Sequence, residues 1–398
     1  MRIDSGTSIA SGTSIASGTS IKNINITHLV LSGGGMRGVI FVGALRYLYL
    51  NNMHKNIKHI AGCSIGSLIG LMFALKLTID EMEEVLYNCM KDNELCFLSI
   101  KRYIRLITEL GLFDTQAMIK HLKIIIKRKY ADRCCKGAKA AKDTECTKCE
   151  EGTKDTECTE CTECKECTKC AEDAKEDTEE PDEYNAGDIS DTITFAQLSK
   201  IFGVNMYISC TNINTCENEI FSIEKTPDAC AYKACCASMS IPLLFKPINI
   251  GDYYYYDGGL TNNFPIKIFA DVPRENIMGM LLYKDNEKIQ PVPAKTINFI
   301  YIVKQLMTIL NMLRVKEVLL KQIQDSKYTN YYRPQNLVLS SGMNIVFARK
   351  GMRLHITKKE IDEMIYVGFE TMTEYIDQLS AKYAADANAR IDAIGLAN

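Results

Sequence analysis

The chain has 398 residues, a formal net charge of −2 and 17 cysteines. Its length suits one large domain or two ordinary ones, and its 46% hydrophobic and 24% charged residues are ordinary globular values. These values exclude wholesale disorder, a fibrous protein and a multi-span membrane protein, and the near-zero net charge argues against a nucleic-acid binder. Charge and cysteine are nevertheless unevenly distributed, so the totals need to be divided by region.

One acidic, cysteine-rich stretch dominates both totals. Residues 142–183 hold 17 acidic residues and six lysines, a net of −11, which leaves +9 for the rest of the chain. Nine of the 17 cysteines lie at 134–170. The sparse cysteines that remain suit a reducing cytosol as well as any other compartment.

The cysteines of this stretch form a ladder with two interpretations. The Cys-x-x-Cys pairs at 146–149 and 158–161 have zinc-site spacing. However, the ladder continues every third residue to Cys170 and offers neither an ordered loop between ligand pairs nor apolar residues for a core. We therefore interpret residues 131–191 as a disordered acidic insertion. A metal-binding or redox module is the alternative.

Neither the N-terminal segment nor the longest apolar-rich stretch carries a clear membrane signal. Residues 1–24 contain the polar repeat SGTSIA, which predicts a flexible tail and lacks the continuous apolar core of a signal peptide. The longest apolar-rich stretch, 297–313, contains Lys304 and several amides, so it is too short and too polar to span a bilayer. We expect a cytoplasmic protein without a transmembrane helix that can bind a membrane peripherally.

Two strand–turn–helix units open the ordered part of the chain. An apolar strand from Ile26 to Leu31 ends in a glycine turn, and a helix follows from Val39 to Leu50. The unit recurs as a strand over Ile57–Ala61, a second glycine-containing turn and a helix over Ser67–Leu77. Such a succession predicts a parallel sheet covered by helices.

The remaining elements predict a catalytic domain over 25–290, interrupted by 131–191, and a mostly helical extension over 291–398 packed on it. The amphipathic segment 297–324 can lie on a bilayer, although a helix packed on the sheet is the favoured interpretation. The other predicted elements are helices at Ile79–Met90, Thr115–Tyr130, Tyr232–Met239 and 357–381, and strands at Asn205–Cys210, Glu219–Ile223, Tyr253–Tyr256 and Asn344–Ala348.

The second glycine turn has the pattern Gly-x-Ser-x-Gly, with Gly62, Ser64 and Gly66. A serine on a sharp strand-to-helix turn projects its hydroxyl outward, and glycines two residues away on either side allow the bend. The following helix N-terminus favours negative charge near that serine. The pattern predicts a nucleophile, with an idle serine in an ordinary turn as the alternative.

The first turn is a glycine-rich loop that exposes backbone N–H groups before a helix. It can cradle a phosphate, as in a dinucleotide fold, or donate to a developing oxyanion. A dinucleotide site predicts an acidic residue about twenty positions later, and residues 51–58 contain none. Both turns follow neighbouring parallel strands and can face one cleft, which favours an oxyanion hole built from Gly33, Gly34, Gly35, Met36, Arg37 and Gly38.

A serine nucleophile needs a base, and the histidines offer no convincing one. Only five are present, at 28, 54, 59, 121 and 355, and none lies in a clear turn after a strand downstream of Ser64. Asp257, followed by Gly258 and Gly259 after a predicted strand, offers a substitute. A carboxylate bonded directly to Ser64 can act as a general base, although Asp-Gly-Gly also occurs in plain turns.

These motifs together resemble the patatin-like phospholipase family. LSGGGMRG, GCSIG and YYDGGLTNNFP occur in that family's order, and GLFDTQAMIKHL, ITFAQL and TPDACAYKACCASMSIPLLFKPI extend the similarity. The resemblance covers roughly 25–130 and 192–285. It implies a three-layer α/β sandwich with a mostly parallel central sheet and helices on both faces.

The resemblance also implies a function for each motif. Ser64 would be the nucleophile, Asp257 the base, and the Gly34 and Gly35 N–H groups the oxyanion donors, while Arg37 would order the loop, contact a phosphate or form a salt bridge. The implied activity is hydrolysis of phospholipid acyl esters, with no cofactor or metal and with neutral-lipid esters as the alternative substrate. An inactive lipid-binding scaffold and a cysteine-rich metal-binding protein are the competing classes, and the sequence does not indicate an oligomeric state.

Overall fold

The computed structural model describes residues 24–91, 110–118, 120–130, 193–282, 336–338 and 357–395. Several predictions fall elsewhere: nearly all of the tail, the whole acidic stretch with its cysteine ladder, the helix at 297–324 and the strand at Asn344–Ala348 lie outside the described residues.

Ten strands are present in the described ranges, and eight of them form one mixed sheet in the order β10-β9-β1-β2-β4-β8-β7, with β5 also paired to β4. β10, β9, β1, β2 and β4 are parallel in turn, whereas β5 and β8 run antiparallel to β4, and β7 runs antiparallel to β8. β3 and β6 pair separately. The strands are β1 His28–Leu31, β2 His59–Cys63, β3 Gly111–Phe113, β4 Asn205–Asn212, β5 Glu217–Ser222, β6 Leu243–Phe245, β7 Ile248–Ile250, β8 Tyr253–Asp257, β9 Ile277–Leu281 and β10 Asn336–Val338.

The helices predicted within the described ranges are present, and a further helix at Phe195–Phe202 was not predicted. The described helices are α1 Val39–Leu50, α2 Ile65–Ala74, α3 Ile79–Lys91, α4 Thr115–Met118, α5 Phe195–Phe202, α6 Ala231–Ser238 and α7 Lys358–Gly395, and residues 120–130 are also helical. Helix α2 begins two residues earlier than predicted, because Ser64 itself occupies its N-cap position. Helix α7 continues well beyond the predicted end at 381.

Alternation along the central strands divides their side chains between two cores. Leu29 and Leu31 belong to the large core with side chains from α1, α2, α3 and α6, while Val30 between them points to the opposite face. That face carries a smaller cluster, in which the central strands meet a short 3₁₀ segment: Val30, Ala61, Tyr207, Ile266, Phe269 and Ile277. The structure thus confirms the predicted α/β architecture with a largely parallel central sheet.

Helix α7 packs closely on α1. A Cβ at Gly43 of α1 would overlap the carbonyl oxygen of Ile365, and a Cβ at Gly368 of α7 would overlap that of Ile40. The rings of Tyr47 and Phe369 meet edge to face at 5.8 Å beside this crossing. The glycines let the two helix backbones approach more closely than side chains would permit.

Strand pairing along β4 brings the ends of β2 and β8 together. β2 and β5 pair with overlapping parts of β4 and so lie on its opposite edges. β8 also overlaps β5 and therefore shares an edge with β2. β2 ends with Cys63 opposite Ser209, and β8 ends with Asp257 opposite Cys210, the next residue of β4. This register places Asp257 at the turn that follows Cys63.

Candidate active site

Ser64 occupies a strained turn between β2 and α2. Its backbone has φ 51° and ψ −128°, a left-handed conformation that is uncommon for a residue with a Cβ. The glycines on either side fit without room to spare: a Cβ at Gly62 would lie 2.7 Å from the Gly66 carbonyl oxygen, and one at Gly66 would lie 2.5 Å from that of Leu31. The turn has the geometry of a nucleophile elbow.

The Ser64 hydroxyl donates a hydrogen bond to Asp257. Its Oγ lies 2.6 Å from Asp257 Oδ2, and the other carboxylate oxygen accepts from the Gly259 N–H at 2.6 Å. Both Ser64 and Asp257 expose only 6% of their surface. A short bond from a hydroxyl to a carboxylate in a site with little water is the arrangement in which the carboxylate can take the hydroxyl proton.

Burial shifts the pKa of the Asp257 carboxyl. It raises the pKa of the Asp257 carboxyl to about 6, because the charged form loses hydration, while hydrogen bonds from Ser64, Gly259 and Cys63 oppose the rise by stabilising the anion. A carboxyl with a pKa near 6 is ionised at neutral pH and holds a proton more readily than an exposed aspartate. It is therefore suited to accept and return a proton in one catalytic cycle.

Two further serines hold the backbone of the elbow. The Ser64 N–H donates to Ser238 Oγ at 2.8 Å, and Ser238 in turn donates to the Ser209 carbonyl at 2.7 Å. Ser67 donates to the Ser64 carbonyl at 2.6 Å. All four serines are buried. Neither Ser238 nor Ser67 was predicted as a site residue, since buried serines of this kind carry no local pattern.

The glycine-rich loop lies against Ser64 and is fastened by Asn263. The Gly33 N–H donates to the Asn263 carbonyl at 3.0 Å, and the Asn263 side-chain amide donates to the Gly33 carbonyl at 3.4 Å. A Cβ at Gly33 would lie 3.1 Å from the Ser64 Cβ. Because the Gly33 N–H is engaged, it is not free to donate to a substrate. Asn263 lies within the quoted motif YYDGGLTNNFP, but no role was predicted for it.

The next two glycines present their amides differently. No described residue accepts a hydrogen bond from the N–H of Gly34 or Gly35, and Gly35 has φ 56°, a left-handed conformation favoured by glycine. A Cβ at Gly35 would meet nothing within 4 Å. These two N–H groups, one and two residues after the Gly33 that lies against Ser64, thus have spare donor capacity.

The patterned region of the sequence also matches a family model. The model described as "Patatin-like phospholipase" matches residues 29–270, which include β1, both turns and Asp257. The chain belongs to the patatin-like phospholipase family. The resemblance drawn from the motifs is therefore confirmed, together with the patatin-like fold it implied.

Two relatives of this chain are viral. The chain is 27% identical over 268 residues to "Uncharacterized protein R571" of Acanthamoeba polyphaga mimivirus, which covers 67% of this chain and 69% of that protein. It is 26% identical over 242 residues to "Probable lipid hydrolase 463L" of Invertebrate iridescent virus 6, which covers 60% of this chain and 62% of that protein.

The solved structures similar to this chain are more distant in sequence. VipD from Legionella pneumophila aligns over 89% of this chain and 67% of its own, with 16% identity and a TM-score of 0.48. ExoU in its complex with SpcU, from the type III secretion system of Pseudomonas aeruginosa, aligns over 89% of this chain and 52% of its own, with 13% identity and a TM-score of 0.44.

The other residues of the glycine motif, Met36, Arg37 and Gly38, contact the loop and the surrounding core. The half-buried Arg37 donates from Nε to the Gly34 carbonyl at 3.3 Å, and burial lowers the pKa of its guanidinium. No carboxylate within the described ranges forms a salt bridge with it. Met36 packs at the margin of the large core, and Gly38 lies directly against the Ile65 side chain.

His28, His54 and His59 make their ring contacts with residues other than Ser64 and Asp257. His28 and His59 stack with ring centroids 4.4 Å apart at the amino ends of β1 and β2, whereas Ser64 follows the carboxyl end of β2. His54 stacks on Tyr49 at 3.9 Å. His355 lies outside the described residues.

Metal-ligating residues do not gather anywhere in the described ranges: no group of three or more histidines, cysteines or acidic residues there has the geometry to hold an ion. The seven cysteines in those ranges form no disulfide bond with one another. No helix in the part of the chain that the structure describes is long and apolar enough to cross a bilayer.

Proposed function

We propose that this chain is a lipid acyl hydrolase of the phospholipase A type, with Ser64 as nucleophile and Asp257 as general base. The observation that carries the proposal is the 2.6 Å hydrogen bond from Ser64 Oγ to Asp257 Oδ2 in a strained, buried elbow. The neighbouring Gly34 and Gly35 N–H groups supply the oxyanion donors. An idle serine in an ordinary turn would not need this backbone conformation or this partner.

In the first half-reaction, Ser64 Oγ attacks the carbonyl carbon of the acyl ester while its proton passes to Asp257 Oδ2. The carbonyl oxygen becomes an oxyanion and accepts hydrogen bonds from Gly34 and Gly35. Removing one such donor costs about 10²–10³-fold in rate in comparable sites. As the tetrahedral intermediate collapses, the ester C–O bond breaks, and Asp257 returns the proton to the leaving alkoxide, so that the alcohol or lysolipid departs.

The second half-reaction frees the enzyme. A water molecule attacks the acyl carbon attached to Ser64 Oγ, and Asp257 takes the proton of that water. Collapse of the second tetrahedral intermediate breaks the bond to Ser64, which recovers its proton from Asp257, and a fatty acid leaves. A covalent acyl-enzyme intermediate divides one difficult step into two easier ones.

Lipid as the substrate class is supported by relatedness and not by the geometry of the dyad. The family model is that of a patatin-like phospholipase, and the iridescent virus relative is named a probable lipid hydrolase. The Ser64–Asp257 pair would attack any acyl ester that reaches it. Phospholipid is therefore the first substrate to test, and triacylglycerol the second.

The test is release of fatty acid from phosphatidylcholine vesicles and from emulsified triacylglycerol. We expect the wild-type protein to release fatty acid, and Ser64→Ala and Asp257→Asn each to lose at least about 10³-fold in rate. Ser199→Ala and Asp271→Asn replace the same residue types away from the site and should retain the wild-type rate. Full activity in Ser64→Ala would overturn the assignment, and vesicle binding without hydrolysis would favour a scaffold.

A further inference from the structure

Five large apolar side chains are exposed near the end of the sheet that holds Ser64. Each exposes between 36% and 57% of its surface, although most side chains of these types are buried elsewhere in the described ranges. We call this set the apolar rim, and it consists of Leu110, Ile213, Leu243, Tyr253 and Tyr254. Exposed apolar patches of this kind mark sites of contact with another surface.

Hydrogen bonds and strand pairing connect the segments that carry the rim. The Ile213 N–H donates to the Tyr254 carbonyl at 3.0 Å, which joins the end of β4 to the start of β8. The Tyr256 hydroxyl, two residues further along β8, donates to the Leu110 carbonyl at 3.2 Å. Leu110 immediately precedes Gly111 of β3, which pairs with Leu243 of β6. The five side chains therefore belong to adjoining segments.

The two leucines are also strained. Leu110 has φ 59° and Leu243 has φ 67°, a conformation that disfavours a residue with a branched apolar side chain. Asparagine or glycine at either position would relieve the backbone and would suit exposure to water better. Each leucine thus combines a strained backbone with an apolar side chain exposed to water. Such a combination is expected where the side chain contacts another surface.

The rim adjoins the catalytic pair. β8 starts with Tyr253 and ends four residues later with Asp257, so about 13 Å of extended chain separates the rim from the base. β4, which the rim borders at Ile213, carries Cys210 opposite Asp257. The rim and the catalytic pair therefore lie at the same end of the sheet.

The charges beside the rim favour an electrically neutral surface. Lys246, which follows β6, forms a 2.6 Å salt bridge with Asp114, which follows β3, so its charge is compensated. Asp252 precedes Tyr253 and adds a negative charge. A basic cluster of the kind that attracts anionic lipid is absent from these described flanks. Tyrosine side chains combine an apolar ring with a hydroxyl and are characteristic of the headgroup level of membranes.

We propose that the apolar rim docks on the surface of a neutral phospholipid bilayer, with the leucines entering the acyl boundary and the tyrosines at the headgroups. The docking extends the proposed function, because it delivers the ester of a bilayer lipid to Ser64. The binding step itself does not require catalysis. It can therefore be measured in a protein that cannot cleave lipid.

The experiment is flotation of the full chain, carrying Ser64→Ala, with vesicles of phosphatidylcholine alone. The double variant Leu110→Asn/Leu243→Asn is expected to bind the vesicles about tenfold more weakly or worse, because two apolar side chains no longer leave water. The matched control, Leu50→Asn/Ile124→Asn, removes two more exposed apolar side chains outside the rim. It should bind as the parent protein does.

Thermal unfolding separates loss of docking from loss of folding. Since asparagine tolerates the left-handed conformation better than leucine, the rim variant should unfold at the same temperature as its parent or higher. Unchanged vesicle binding by the rim variant would overturn the proposal. An equal loss of vesicle binding in the control variant would also overturn it. A third contradicting result would be that the parent protein is a dimer that does not float with vesicles and that the rim substitutions abolish this dimer.

The same variants distinguish failure of docking from failure of the proposed function. With Ser64 restored, the rim variant should lower the ratio of vesicle hydrolysis to hydrolysis of a dissolved short-chain ester by about tenfold. If the rim controls flotation but no ester is cleaved by any protein, the docking stands and the proposed function fails. If esters are cleaved and the ratio is unchanged, the proposed function stands and the docking fails.

Discussion

Asp257 accepts three hydrogen bonds, and each has a different role. The one from Ser64 carries the proton that would be transferred, the one from the Gly259 N–H orients the carboxylate, and the weak one from Cys63 Sγ, at 3.9 Å, fills the remaining side. Burial works against all three by raising the pKa of the carboxyl. The opposing effects of burial and hydrogen bonding leave a carboxylate that is ionised at neutral pH and can still take up a proton.

The pH dependence of hydrolysis should report this base. Asp257 must be ionised to accept the Ser64 proton, and its pKa is raised to about 6. We expect kcat/KM for a dissolved ester to fall about tenfold for each pH unit below that value and to level off above it. The measurement is a pH–rate profile between mildly acidic and mildly alkaline buffer. A profile that stays flat through this range would contradict Asp257 as the base.

Ser238 is expected to position Ser64 without touching substrate. Its hydroxyl is the acceptor for the Ser64 N–H, and Ser238→Ala would leave that buried amide without a partner. The free energy of unfolding should fall by about 1–3 kcal/mol, and kcat should fall with little change in KM. Ser238→Thr keeps the hydroxyl and should recover much of kcat. Steady-state kinetics and denaturant unfolding of both variants test this prediction; equal kcat in Ser238→Ala and wild type would contradict it.

The residues that sequence patterns could identify are those with glycine neighbours. Ser64 and Asp257 were predicted because they lie in the patterns Gly-x-Ser-x-Gly and Asp-Gly-Gly. The glycines of these patterns mark tight turns whose backbone few other residues can adopt. Ser238 and Asn263 act through hydrogen bonds that depend on the tertiary fold, so their neighbours in sequence carry no trace of the role. The resemblance contained Asn263 within a quoted motif but did not assign it a contact.

At the level of elements, the dyad depends on the shared edge of β4. β2 delivers Ser64 from a parallel strand, and β8 arrives antiparallel on the same edge, with Asp257 opposite Cys210. A shift of one residue in β8 would reverse the faces of its side chains and turn Asp257 away. The sequence predicted both strands, but nothing in it specified which edge of β4 each would occupy.

Some elements escaped prediction for physical reasons. β3, β6 and β7 have three residues each, which is too short for a periodic signal. β9 has five residues and contains Gly279, and a glycine inside a strand weakens the strand pattern. Helix α7 runs past 381 into alanine-rich sequence, where helix propensity is high but the apolar period fades.

The crossing of α1 and α7 should tolerate no side chain at Gly368. Its added Cβ would meet the backbone at Ile40, which cannot move aside as a flexible side chain can. We expect Gly368→Ala to lower the free energy of unfolding by about 1–3 kcal/mol, despite the better helix propensity of alanine. Denaturant unfolding measures the effect, with Tyr366→Ala on the exposed face of α7 as control. A stabilised Gly368→Ala would show that the helices are farther apart.

At the scale of the whole molecule, the net charge of −2 combines a body near +9 with the acidic stretch 142–183. A positive body is attracted to anionic lipid, whereas the apolar rim adjoins no basic cluster in the described ranges. The acidic stretch would counter the general attraction and leave the rim to determine which surface is bound. Its interpretation as an insertion remains a prediction, since it lies outside the described residues.

Deleting residues 142–183 should therefore change lipid selectivity more than folding. The remaining chain has a formal net charge of +9, and we expect tighter binding to vesicles containing phosphatidylserine, an effect that added salt should weaken. Binding to phosphatidylcholine should change little. Flotation at low and high salt measures both. A deletion that prevents folding would contradict the interpretation of this stretch as an insertion.

The most direct test of the central claim, that Ser64 is a nucleophile activated by Asp257, is covalent labelling with an alkyl fluorophosphonate followed by peptide mass spectrometry. We expect one adduct per chain on the peptide that contains Ser64, formed at least about a hundredfold more slowly in Asp257→Asn because the proton has no acceptor. Labelling of a different serine, or labelling of Asp257→Asn at the wild-type rate, would contradict the account.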